Sequence, residues 1–360
     1  MSESRAADGK RVKHVLYHQR DFPVFQNRMY ATAAEAIACP RGDIELVEDE
    51  LTGLVHNAAF NPELVVYDRA YQNEQGVSPA FRDHLQVVAD MVEGRLGKTG
   101  LIEIGCGKGF FLEMLAARGS AIAGFDPSYE GDNPLISRRY FSEAENIRAD
   151  GLIMRHVLEH VRDPYDFLHV IRQANGGGGL LYIEVPCFDW ILGKRAWFDV
   201  FYEHVNYFRL KDLLAMFGRV LHAERLFGGQ YLGVVVDLAS LRPPRNMGGV
   251  PLALPADFGR ISLGEKQQGA VTAIWGGASK GVIFSLLCHR AGRPVDVVID
   301  INPAKQGRFL PGTGLRVQSP AEALPTLPDS SVIYVMNPMY LAEISALAGP
   351  RIRCVAVHEQ

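Results

Sequence analysis

The stretch Leu101-Ile102-Glu103-Ile104-Gly105-Cys106-Gly107-Lys108-Gly109-Phe110 decides the fold. Its first residues are a short apolar run of strand composition, glycines then fall at alternate positions, and helical periodicity follows over 110–117. A second apolar run over 121–125 ends in Asp126. Strand, tight turn, helix and strand in that order make a β-α-β unit. Glycine is needed at the turn because the backbone must approach a ligand with no side chain between them. The helix that follows aims its free N–H groups at a negative charge.

The spacing narrows the ligand. Gly105-x-Gly107-x-Gly109, preceded by the acidic Glu103, departs from the G-x-G-x-x-G of dinucleotide enzymes. An acidic residue closing the second strand, here Asp126, accepts hydrogen bonds from ribose hydroxyls. The combination predicts S-adenosylmethionine as cofactor, with its methionine carboxylate at the helix amino end. The expected cofactor site is Glu103, Gly105, Cys106, Gly107, Gly109, Phe110, Asp126 and Pro127. A Rossmann-like domain that binds NAD, or nothing, is the alternative reading.

Upstream, Phe81, Leu85, Val88 and Val92 recur at helical spacing over 81–94. Downstream, strands are expected over 151–154, 180–185 and 234–238, with a helix over 163–174 and a glycine loop over 176–179. This alternation predicts a parallel doubly wound sheet with ligands at the carboxyl ends of its strands. Arg155 and His156 follow one such strand and are expected to touch the cofactor, whereas Glu159 and His160 are expected to cap or pack the next helix.

Residues 241–249, rich in proline and glycine, have linker composition. A second alternation begins after them, with strands over 271–275, 295–300 and 332–336 and a helix over 280–290. Residues 12–84 carry turn signals and no comparable pattern. The expected fold class is α/β. A class I methyltransferase (Rossmann-like) domain over 84–243 lies between a small irregular N-terminal module over 1–83 and a second, smaller α/β domain over 250–360.

A chain of 360 residues with 48% hydrophobic and 22% charged residues has enough apolar surface for several cores. Its net charge of -4 disfavours nucleic acid as the main partner, because phosphate binding needs a basic field. The polar first residues do not resemble a signal peptide, and no run is long and apolar enough to span a bilayer. A cytoplasmic protein acting on a small molecule is expected. The five cysteines are scattered without a C-x-x-C pair, which predicts free thiols and no thiolate metal site.

The densest chemistry lies in Phe198-Asp199-Val200-Phe201-Tyr202-Glu203-His204-Val205-Asn206-Tyr207-Phe208. It offers an imidazole that titrates near neutrality, a carboxylate to orient it and phenolic donors, a set suited to proton abstraction. The bland alternative makes the aromatics core residues and Glu203 and His204 a solvated pair.

With this segment, the stretch Asn57 to Tyr71, the glycine turn, Trp275-Gly276-Gly277-Ala278-Ser279-Lys280-Gly281 and Asp300-Ile301-Asn302-Pro303, the chain resembles the nucleotide-sugar C-methyltransferases along nearly its whole length. That family methylates a carbon beside a ketone. The resemblance implies His204 as general base, Glu203 as its support, and a tyrosine, here Tyr202, at the enolate oxygen. It further implies substrate contacts from Tyr67, Tyr71, Tyr207 and Lys280.

Two departures stand out. The family's leading domain usually holds zinc on cysteines, whereas Cys39 is the lone cysteine before His84, so no metal is expected. Phe201 stands where a tyrosine is usual, and Gly228-Gly229-Gln230 replaces Gly-Gly-Ser, which points to an altered substrate pocket. Methylation of oxygen or nitrogen on a small natural product, and binding without turnover, are the competing functions.

Overall fold

The computed structural model describes residues 14–65, 71, 76–246, 248, 250–261, 263–264 and 266–357. The glycine turn belongs to a seven-stranded sheet whose spatial order is Val220–Leu226, Tyr231–Asp237, Leu180–Pro186, Gly151–Arg155, Leu101–Ile104, Ile122–Phe125 and Ile136–Ser137. The chain starts in the middle at Leu101–Ile104, runs outward to Ile136–Ser137, then returns to the other side at Gly151–Arg155. A crevice opens where the direction of winding reverses, and the glycine turn sits at its mouth.

The sheet is not parallel throughout. Tyr231–Asp237 runs antiparallel between Leu180–Pro186 and Val220–Leu226. The latter strand has its burial spread thinly along an exposed edge, which hides it from an alternation test. Gly228 and Gly229, both at positive φ, make the tight turn that forms this hairpin. The helix Pro79–Leu96 starts with proline in its first turn, ends at Gly97, and buries Phe81, Leu85, Val88 and Val92 against the sheet.

The N-terminal residues form a sheet rather than an irregular module. Val15–Pro23, Arg41–Glu48 and Val55–Asn57 make an antiparallel meander, and Asn206–Tyr207 adds the fourth strand through Val55↔Tyr207 and His56↔Asn206. The chemistry-bearing segment is therefore an edge of this sheet. Its aromatics Phe198, Phe201, Tyr202 and Phe208 share one buried cluster with Phe22, Val24, Ile44 and Leu46.

The third sheet is wholly parallel, in the order Val317–Gln318, Val297–Ile299, Thr272–Trp275, Val332–Val335 and Arg353–Ala356. The helix Lys280–Arg290 is buried at every position from Gly281 to Cys288, so its apolar residues surround the axis instead of lining one face. Phe284 stacks on Trp197 at 5.6 Å between ring centroids, which packs this helix against the chemistry-bearing segment. Cys39, Cys106, Cys187 and Cys288 are buried free thiols, and Cys354 is half-buried. Among the described residues no helix is long and apolar enough to cross a membrane.

Arg209, just after the strand Asn206–Tyr207, fastens the N-terminal sheet to the helix Leu210–Ala215. Its buried guanidinium bonds Asp212 through Nε (2.7 Å), Glu48 through Nη1 (2.8 Å) and the Gly53 carbonyl through Nη2. Removing the cation leaves two carboxylates poorly solvated, so Arg209→Met is expected to destabilise the fold by about 3–5 kcal/mol. The shift in urea midpoint measures it; an unchanged midpoint would mean that the packing around Arg209 carries the junction alone.

Candidate active site

The crevice opens into a cavity of about 540 Å³ whose wall draws on the central and C-terminal sheets and on the segment 198–208 that edges the N-terminal sheet. At one end lie Glu103, Gly105, Cys106, Gly107, Phe110, Asp126 and Pro127; in the middle Arg155, His156, Glu159, His160 and His204; at the far end Ser279, Lys280, Asp300 and Lys305.

Glycine at 105 is a structural necessity. Its φ is +75°, and a Cβ there would collide with the Val157 Cγ2. The Gly107 N–H donates to Asp126 Oδ2 at 2.7 Å, while Asp126 Oδ1 accepts from the Ser128 N–H and hydroxyl at 2.8 and 2.7 Å. Asp126 thus braces the turn as well as facing the cavity. Gly109, at φ +84°, caps the following helix and stays behind the wall.

Glu103 is buried, and its Oε2 is enclosed with no hydrogen-bond partner in the ligand-free chain. Burial pushes its carboxyl up to about 7. An acceptor left open beside a glycine cradle suits a cationic group that arrives with a ligand.

Beneath Arg155 and His156 lies a residue that sequence reasoning passed over. Glu184 is wholly buried and accepts from the Tyr182 hydroxyl (2.7 Å), Arg155 Nη2 (3.1 Å), His84 Nε2 (3.1 Å) and His156 Nε2 (3.1 Å). Burial would raise its carboxyl, but Arg155 and the two histidines hold it well below the usual range. The signal was an acidic residue inside the apolar run 180–185, since a buried charge demands partners. Although burial opposes it, bonding to Glu159 and Glu184 pushes His156 up to about 9, so this wall carries an imidazolium at neutral pH. His156 is held at φ +52°, an uncommon conformation for a residue with a side chain. The Arg155 guanidinium lies over the Phe111 ring at 4.5 Å.

Glu159 and His160 do not cap the next helix as expected. The short 3₁₀ turn Leu158–His160 directs both into the cavity wall beside His204. His204 is buried, with its ring edge-on to His160 and to Phe201, each at 4.8 Å. Burial first, then the nearby His160, His156 and Lys280, hold it well below the ordinary imidazole range, so it is neutral at physiological pH.

Three residues of the same segment face elsewhere. Tyr202 turns into the N-terminal sheet, where its hydroxyl accepts from the Asn61 N–H at 2.9 Å and its ring covers Gly42. Tyr207 is sealed in the core, its hydroxyl donating to the Phe201 carbonyl at 2.8 Å and accepting from the Phe201 N–H at 2.9 Å. The chain bends over 202–203 before the strand Asn206–Tyr207 begins, so this stretch follows no strand alternation and its side chains part company. Glu203 accepts from the Tyr71 hydroxyl (2.7 Å) and the Gln26 N–H (3.2 Å) rather than orienting His204. Tyr71 does line the cavity. Tyr67 lies outside the described residues. Lys280 reaches the wall but is held by Asp199 (2.8 Å) and the Gln230 Oε1 (2.8 Å), over the Trp190 ring.

Residues 59–220 match the model of the family described as "Methyltransferase domain", and residues 256–347 that of "C-methyltransferase C-terminal domain". C-methyltransferase NovU of Streptomyces niveus is 23% identical over 305 residues, 72% of each chain. The chain is an S-adenosylmethionine-dependent methyltransferase. The second family and the relative are both C-methyltransferases, which supports transfer to carbon. Among solved structures, the methyltransferase resembles the PH0226 protein from Pyrococcus horikoshii OT3 (TM-score 0.35, 14% identity, 48% of this chain and 99% of that one). It also resembles the Burkholderia thailandensis 1,6-didemethyltoxoflavin-N1-methyltransferase (TM-score 0.32, 13% identity, 44% of this chain and 80% of that one).

The residues present fit this cofactor: at Gly105 and Gly107 the backbone reaches the cavity wall with no side chain between, and the open oxygen of Glu103 suits the cofactor's ammonium. If Glu103 takes that ammonium, affinity for S-adenosylhomocysteine should rise between about pH 6 and about pH 8 as the acid ionises near 7. Glu103→Gln should weaken binding and flatten the dependence. Ligand-free stability should run the other way. The folded pKa exceeds the unfolded one, so stability falls as pH climbs from the ordinary carboxyl range through about 7. Calorimetric titration and thermal unfolding across this range check both trends; a pH-independent affinity in the parent would remove Glu103 from the site.

Proposed function

We propose that this methyltransferase transfers its methyl group to a carbon beside a ketone, on a nucleotide-linked deoxy sugar, with His204 as the general base. The observation that carries the reading is the position of His204. A neutral imidazole lies in the wall between the glycine turn and the C-terminal domain, where a donor and an acceptor would meet. The likeness to a C-methyltransferase over most of the chain supports carbon as the acceptor.

When bound, the cofactor supplies a methyl group already activated on a sulfonium. The remaining task is to make a carbon nucleophile and align it. In this reading His204 takes the proton from the carbon next to the ketone, and the electron pair left behind becomes an enolate. Tyr71, not Tyr202, reaches the cavity, and to meet the enolate oxygen its hydroxyl must turn its one proton from Glu203, to which it donates at 2.7 Å. Backbone groups of Gly105, Cys106, Gly107 and Phe110 hold the cofactor with Asp126 and Pro127, while Arg155 and His156 fix the wall beneath it. Lys280 and Lys305 face the diphosphate end, each already paired with an aspartate, Asp199 at 2.8 Å and Asp300 at 3.5 Å.

The test is a panel of nucleotide 4-keto-6-deoxy sugars incubated with enzyme and S-adenosylmethionine in heavy water, followed by NMR and mass spectrometry. A new carbon-bound methyl, or deuterium entering beside the ketone, is expected. Methylation of oxygen or nitrogen would overturn the carbon acceptor. His204→Ala should lower turnover by about 10²–10⁴-fold while leaving S-adenosylhomocysteine affinity within a few-fold. Turnover within about tenfold of the parent would exclude His204 as the base.

A further inference from the structure

The role given to His204 leaves one requirement unmet, and the following rests on that role. A base that takes a proton becomes an imidazolium, and this one would form in a buried wall already carrying the His156 cation and near Lys280. A negative group must stand close by to hold it. Glu203 cannot serve, because its carboxylate is committed to Tyr71 and Gln26.

Glu159 has the required features. It is 1% exposed, and its Oε1 meets His156 Nδ1 at 3.4 Å, but its Oε2 is enclosed with no partner. His204 Nδ1 is likewise enclosed with no partner. One nitrogen or oxygen each from Glu159, His160 and His204 lies within 4.8 Å of the others. A buried carboxylate oxygen and a buried ring nitrogen, both unpaired, are costly to keep unless the working enzyme brings them together.

The backbone fixes this approach. The Val205 N–H donates to the Glu159 carbonyl at 2.7 Å, His160 Nδ1 donates to the Glu203 carbonyl at 3.0 Å, and Asn206 Nδ2 donates to the Val161 carbonyl at 2.6 Å. These bonds clamp the two segments side by side, so a small side-chain adjustment or one bridging water closes the gap between Glu159 and His204.

We infer that Glu159 is the positioning carboxylate of the His204 base. It holds the His204 proton on Nδ1, which leaves Nε2 to act on the substrate. The balance is simple. The substrate C–H bond breaks, its proton forms the Nε2–H bond, its electron pair enters the enolate, and the resulting imidazolium is held against Glu159 until the proton passes to solvent. Glu203 acts one step away, through Tyr71.

The same trio would suit a divalent cation, and the experiment separates the two. Full-length protein with ¹⁵N-labelled histidine is examined by NMR as the parent, Glu159→Gln and Glu203→Gln, each with S-adenosylhomocysteine. In the parent, neutral His204 should carry its proton on Nδ1. Glu159→Gln should move a large share of it to Nε2, and Glu203→Gln should leave it in place. Glu159→Asp, which keeps the charge, should retain part of the parent distribution if folding tolerates the shorter chain.

On any ketone of the panel that the parent accepts, Glu159→Gln should lower kcat about a hundredfold with KM for the cofactor nearly unchanged. A tautomer that responds to Glu203→Gln and not to Glu159→Gln overturns the proposal. So does a stoichiometric metal in the purified enzyme whose chelation abolishes turnover. If His204→Ala retains turnover, the base assignment fails, while the tautomer measurement still decides whether Glu159 and His204 are coupled.

Discussion

The pairing of Asn206–Tyr207 with Val55–His56 is the constraint on which the active site depends. A loop that carries catalytic groups must satisfy its backbone without spending the side chains it presents. Here the N-terminal sheet supplies one edge, and the turn after Gly151–Arg155 supplies another through the Glu159 and Val161 carbonyls. The chain bends just ahead of this pairing, and Tyr202 enters the core while its near neighbour His204 stays in the wall. The N-terminal sheet thus holds the segment that carries His204, although no described residue of its strands lines the cavity.

Buried acids dominate the electrostatics of this wall, and the fold treats each differently. Glu184 is satisfied from several directions and stays ionised, so it works as a fixed countercharge that keeps Arg155 in place and His156 protonated. Glu103 has no such set of donors, and its carboxyl rises to about 7. Glu203 is raised by burial as well, though His160 and the Tyr71 hydroxyl oppose the rise. The buried wall therefore has one acid, Glu184, held ionised in the free protein beside another, Glu103, whose charge awaits a ligand. Such division is typical of sites where electrostatic work is prepared in advance.

Much of this was legible in the sequence where local pattern and local chemistry agree. The glycine turn, its flanking strands, the terminal Asp126 and the helix Lys280–Arg290 all depend on residues close in the chain. The edge strand Val220–Leu226 escaped because its residues are nearly all partly exposed, so burial does not alternate along it. The side-chain directions in 201–207 escaped for another reason, since the segment bends and is then held by partners far away in the chain, among them Asn61 on Tyr202, Tyr71 on Glu203 and Val55 opposite Tyr207. Glu159 and His160 read as helix-capping residues because the sequence shows the helix to come and conceals the His204 ring they meet. Glu184 could have been read, as an unexplained charge inside an apolar strand.

The C-terminal domain completes the enclosure, and the manner of its docking bears on the substrate pocket. Gln230, which stands where the resembled family has serine, donates to the Asn337 Oδ1 at 2.9 Å and accepts from Lys280 at 2.8 Å. Lys280 in turn pairs with Asp199, so one residue of the central sheet bonds to two points on the C-terminal domain while Asp199 holds the same lysine from the chemistry-bearing segment. Serine is too short to span that distance. The exchange therefore couples the docking of two domains to the cationic end of the cavity, and any group that binds Lys280 must take its third N–H beside Asp199 and Gln230 or displace one of them. Affinity at that end is a difference between the ligand's contacts and these existing ones, which favours an anion able to replace both partners at once.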